Sequence, residues 1–65
     1  MRTLDKYIKN NYILSLTQEN SIYSCIPVYY CILEDKVNGT KDILSKHYDR
    51  QSAQTALQSY KEDYL

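Results

Sequence analysis

The 65-residue chain has no Phe and no Trp, one Gly, one Pro, one His and two Cys. Each scarcity excludes something. A single glycine leaves no Gly-rich loop to cradle a phosphate. One histidine and two cysteines cannot complete a tetrahedral zinc site, and no CxxC or HxxxH spacing is present, so no metal is predicted at Cys25, Cys31 and His47. Neither charge is in excess: eight Lys+Arg balance eight Asp+Glu. That argues against a protein held to a polyanion by bulk charge, and equally against an acidic imitation of DNA. Long apolar runs are missing too. The longest, Cys25 to Leu33, contains Pro27 and falls well short of the ~20 residues a membrane span needs. The first residues, Met1-Arg2-Thr3-Leu4-Asp5-Lys6, carry acid early and no apolar h-region, so no signal peptide is read and a cytoplasmic location is expected. Asn38-Gly39-Thr40 matches a glycosylation sequon but is read as a turn.

What the chain does have is tyrosine: eight of them. Fifteen Ile, Leu and Val residues supply material for one layer of packing. A chain this short buries only about 60% of its unfolded surface, so one single domain with a thin core is expected over residues 1–65. Several Tyr rings must then remain partly exposed. Rigid and amphipathic, such rings suit recognition surfaces.

Local patterns suggest an α+β fold. Thr3 to Asn11 reads as a short N-terminal helix, capped by Thr3 with Leu4, Tyr7 and Ile8 on one face; a strand from Lys6 competes with it. Tyr12 to Thr17 reads as a strand, followed by a Gln18–Ser21 turn and a longer strand from Ile22 to Glu34. That second strand is apolar on both faces. Val28, Tyr30 and Ile32 (with Ile22 and Ile26) point one way; Tyr29, Cys31 and Leu33 (with Tyr23 and Cys25) point the other. Pro27 inside it conflicts with a central position and calls for a bulge or cover by a second chain. Cys25 and Cys31 on one strand lie roughly 20 Å apart, too far for a disulfide, and read as buried thiols.

Asn38-Gly39 predicts a two-residue hairpin turn that pairs Val37 with Thr40, Leu33 with Leu44, Tyr30 with His47 and Tyr29 with Tyr48. It also sets Asp35 against Asp42 and Lys36 against Lys41, both mildly unfavourable. The competing reading of residues 41–48 is a helix capped by Thr40; the strand is preferred. From Asp49, a capped helix with a stripe of Ala53, Ala56, Leu57, Tyr60 and Tyr64 completes the chain. The expected fold is thus a small three-stranded antiparallel meander with a C-terminal α-helix packed on one face. The sheet face bearing Tyr and Cys is expected to need cover.

Chemistry is thinly represented. A Cys31–His47 pair is the only nucleophile–base combination in view, and it reads as packing. Glu34-Asp35 before Gly39 fails as a calcium loop, because Ser45 stands where the bidentate acid belongs. No catalytic residue, cofactor or small-molecule substrate is predicted, and the chain is not expected to be an enzyme. The expected function is a non-catalytic protein-binding module whose partner is a host protein or a second copy of the chain. Its candidate contacts are Tyr23, Tyr29, Tyr30, Tyr48 and His47. Short, neutral, single-domain chains are frequent among phage and mobile-element inhibitors of host proteins, anti-CRISPRs among them, and such a role is the expectation. The alternative is a nucleic-acid-binding accessory protein using sheet tyrosines with Lys41, Lys46 and Arg50.

Overall fold

A computed structural model describes residues 2–20 and 26–65. Four strands and one helix follow one another: β1 (Arg2–Lys9), β2 (Tyr12–Asn20), β3 (Pro27–Asp35), β4 (Thr40–His47) and α1 (Arg50–Tyr64). The strands form one antiparallel meander in the order β1-β2-β3-β4, and α1 lies across one of its faces. The α+β fold with an antiparallel sheet and a C-terminal helix is as the sequence predicts, but the sheet has four strands, not three.

The additional strand is the N-terminal segment read as a helix. Leu4, Tyr7 and Ile8 fit a helical face, but a helix of two turns is marginal on its own. Pairing with β2 gives the same residues a complete ladder, from Arg2 opposite Gln18 to Lys9 opposite Tyr12. The turn between them uses Asn10 at φ 55°, a left-handed conformation that Asn tolerates. Leu4 is the extra residue of a bulge between Thr3 and Asp5.

Pro27 loses its conflict. It is the first residue of β3, paired with Asn20 at the end of β2, where no internal ladder bond is lost. The sheet needs neither a bulge nor a second chain at this point. The expected strand start at Ile22 lies outside the described residues, as do Tyr23 and Cys25.

The second hairpin also differs from the two-residue turn. Residues 36–39 form the loop, and Asp35 pairs with Thr40. The Asp35 carboxylate accepts from the Val37 N–H at 3.0 Å, the Asn38 N–H at 3.3 Å and the Asn38 side-chain amide at 2.7 Å. Gly39 closes the loop at φ +68°. This register places Glu34 opposite Lys41 and separates Asp35 from Asp42, removing both like-charge pairs. Leu44 is bulged, so Ile32 faces Ile43 while Cys31 faces Ser45. His47 consequently stands opposite Tyr29, not Tyr30.

The helix begins where the sequence places it. Asp49 caps it, accepting from the Ser52 N–H at 3.1 Å. Ala53 and Leu57 are buried, Ala56 and Tyr60 half-buried, and Tyr64 exposed. They meet Leu14, Leu16, Tyr29 and Cys31, with Leu4, Tyr7, Leu33 and Leu44 at the margin. Fully burying each of Leu14, Leu16 and Leu57 contributes about 1.5–3 kcal/mol, which makes this layer the principal source of stability.

The helix thus covers the Tyr29/Cys31/Leu33 face, the one expected to lie bare. The alternation of β2 decides the matter. Leu14 and Leu16 point to the same side as Cys31 and Leu33, whereas Ser15 and Thr17 point to the other. Only the first side offers a continuous aliphatic bed for the helix.

Candidate functional site

The second face of the sheet carries Thr3, Lys6 and Ile8 from β1, Ile13, Ser15 and Thr17 from β2, Val28, Tyr30, Ile32 and Glu34 from β3, and Lys41, Ile43 and Lys46 from β4. No described element packs over it. Its inner strands keep Ile13 and Ile32 buried. Its outer strands do not shield their apolar residues: Ile8 is 60% and Ile43 63% exposed. A shallow concavity of about 170 Å³ lies in its middle, walled by Lys6, Glu34 and Lys41 and floored by Ile13, Ile32 and Thr17. The Thr17 hydroxyl there is buried with no hydrogen-bond partner among the described residues, and the residue is only 5% exposed.

The candidate contact residues separate. Tyr29 is 7% exposed beneath the helix, whereas Tyr30, next in sequence, points to the opposite face. They cannot form one tyrosine surface. Tyr48 lies just past β4 and is 63% exposed. Lys46 joins it to Tyr30: its ammonium sits 5.4 Å from the centre of the Tyr48 ring. A hydrogen bond to Tyr48, and the nearby Tyr48 and Tyr30 hydroxyls, push the Lys46 pKa up. Lys41 stands apart, opposite Glu34, and Arg50 opens the helix beyond the sheet. Tyr23 lies outside the described residues.

His47 belongs to the helix side. Its Nε2 lies 2.8 Å from the Ser45 hydroxyl, and Ser45 stands opposite Cys31 on β3. The Cys31 thiol donates to the Ala53 carbonyl at 3.6 Å, tying the sheet to the helix. Ser and His at this distance have nucleophile–base geometry, but no described carboxylate hydrogen-bonds the imidazole to orient it. Cys31 is fully buried, and burial pushes its pKa up despite the opposing effect of Ser45. A thiol held neutral in this way is a poor nucleophile. The expected Cys31–His47 pair rests on a register with His47 opposite Tyr30; in the structure Ser45, which sequence reasoning did not single out, stands opposite Cys31 and next to the His47 ring.

Among the described residues, no group of three or more His, Cys, Asp or Glu gathers to hold a metal ion, and no helix is long and apolar enough to cross a membrane. Comparison with protein-family models, with curated proteins and with solved structures gives no match.

The residues that sequence reasoning missed are Ile8 and Ile43. The signal was available in alternation: once residues 2–9 are a strand, Ile8 shares a face with Lys6 and falls beside Ile13.

Proposed function

We propose that the chain is a non-catalytic protein-binding module that takes its partner at the margins of the helix-free sheet face. Ile8 and Ile43 supply the apolar contacts, and Tyr30, Lys46 and Tyr48 form a polar-aromatic corner. The carrying observation is the exposure of two isoleucines on the outer strands of one face, with no described element above them. Apolar side chains left exposed on one uncovered face and flanked by charge support a docking surface. The mixed signs on this face, Lys6, Lys41 and Lys46 with Glu34, suit a protein partner better than a polyanion. A role as a phage or mobile-element inhibitor of a host protein is consistent with this reading and rests on size and charge alone.

Comparative affinity capture from the producing cell tests it, using wild type, Ile43→Glu and a control altered at the exposed Gln54 on the helix. A partner retained by wild type and the Gln54 variant but lost by Ile43→Glu supports the reading. A capture profile unchanged by both Ile8→Glu and Ile43→Glu contradicts it. A second reading draws on Lys46 lying over Tyr48 next to Tyr30: single-stranded nucleic acid stacking on that corner. It predicts oligonucleotide binding that weakens as salt rises and fails in Lys46→Ala/Tyr48→Ala.

A further inference from the structure

The outer edge of β1 offers a second surface, a backbone edge that meets the isoleucine margin at Ile8. The two-residue turn at Asn10-Asn11 joins Lys9 to Tyr12, so the odd residues Asp5, Tyr7 and Lys9 direct their backbone groups toward β2. The even residues Lys6 and Ile8 direct theirs outward. The Asp5 carboxylate confirms that parity by accepting from the Lys6 N–H at 3.1 Å, a bond available only if that N–H points away from β2. By the same parity, the Lys6 carbonyl and both backbone groups of Ile8 face away from β2. An edge of this kind is a template for another strand.

We infer that a second copy of the chain pairs with this edge, β1 against β1, about a two-fold axis through Tyr7. In that register Lys6 and Ile8 of opposite copies exchange backbone hydrogen bonds, as the outward parity requires. The same register sets Asp5 of each copy opposite Lys9 of the other, forming two opposite-charge pairs on the helix side. Shifting by two residues in either direction keeps the parity but breaks both charge pairs. Asp5–Lys9 complementarity therefore selects both this register and a second copy as the occupant. A zero net charge adds no repulsion between copies.

The neighbourhood has room for the contact. A hollow of about 440 Å³ beside this edge is lined by Tyr7, Lys9, Lys61 and Leu65, with the Lys61 ammonium 4.3 Å from the centre of the Tyr7 ring. The other outer strand is less suitable. The β4 bulge at Leu44 falls in mid-strand and interrupts regular pairing, whereas the β1 bulge at Leu4 lies outside the Asp5–Lys9 stretch.

Sedimentation equilibrium on the full chain, from about 10 µM to about 1 mM, tests the inference, since an edge contact of this size associates weakly. Wild type is expected to rise from 7.7 kDa toward twice that mass. Lys9→Asp is expected to weaken association at least ~10-fold, with Asp5→Lys doing the same and the double reversal restoring it. Circular dichroism establishes that each variant is folded; Lys9 is exposed, so Lys9→Asp serves if Asp5→Lys is not. Added salt is expected to weaken the dimer. A monomer throughout the range, or a dimer indifferent to Lys9→Asp, overturns the inference. Neither charge reversal alters Ile43, so either result leaves the isoleucine-margin reading to its own test.

Discussion

The two faces of this sheet are built from the same strands but are covered differently. On one, Leu14, Leu16, Tyr29 and Cys31 meet Ala53 and Leu57, and the face is closed within the chain. On the other, Ile13 and Ile32 are buried in the inner strands while Ile8 and Ile43 stand in solvent on the outer ones. The described residues hold one helix for two faces, and β2 decides where it goes. Apolar residues on the closed face are held by the fold; those at the margins of the other contribute little to it and remain free to contact another molecule.

Truncating the closed face gives the largest expected effect. Leu57→Ala or Leu14→Ala removes a fully buried side chain and is expected to cost about 2–5 kcal/mol, read by urea denaturation below any association threshold. In so small a domain this approaches the whole stability, and a variant that kept its transition unchanged would show that the helix does not close this face. The connections come next. Asp49→Ala removes the cap of α1 and is expected to cost about 1 kcal/mol. Gly39→Ala is expected to cost a similar ~1 kcal/mol because its backbone sits at φ +68°, although a methyl group there meets nothing within 4 Å.

Thr17 sharpens the contrast by reversing the sign. Its buried hydroxyl on the helix-free face, without a partner among the described residues, makes Thr17→Val neutral or stabilising, by up to about 1 kcal/mol. A marked loss of stability on thermal melting would mean that the hydroxyl has a bond in solution. The smallest effect is linked to pH. Burial raises the Cys31 pKa, so the folded chain holds the thiol proton more tightly than the unfolded chain does. That contribution is fully present below the unfolded thiol pKa and is lost as pH rises through the raised folded value. Wild type is therefore expected to lose stability in the alkaline thiol range, and Cys31→Ala to lose less over the same interval.

Much of the fold was legible because its signals were local. The Asp49 cap and the Ala53/Leu57 stripe are written in a few adjacent residues, and the odd–even alternation from Val28 to Leu33 assigned both faces of β3 correctly. The remainder depended on pairing. Residues 2–9 fit a short helix until the β2 ladder is set beside them, and the Asn38-Gly39 signal specified a turn without revealing the Asp35 side chain that widens it. The closing of the Tyr29 face was decided by Leu14 and Leu16 on a neighbouring strand, and no pattern within β3 contains that information. The candidate site was less legible for the same reason: tyrosine content drew Tyr29 and Tyr30 together, although adjacent residues on a strand face opposite ways. Ile8 and Ile43 are seen to share one face, at its opposite margins, only once four strands are in order.

The division between the faces is tested most directly by the unfolding free energy of the Ile8→Thr/Ile43→Thr double variant, in urea and at low protein concentration. Threonine keeps the β-branch, so strand propensity is nearly preserved while two exposed apolar surfaces are removed. A stability within about 1 kcal/mol of wild type is the predicted result, because neither side chain is part of the closed layer. A loss matching that of Leu57→Ala would contradict it and make the isoleucine margin part of the fold.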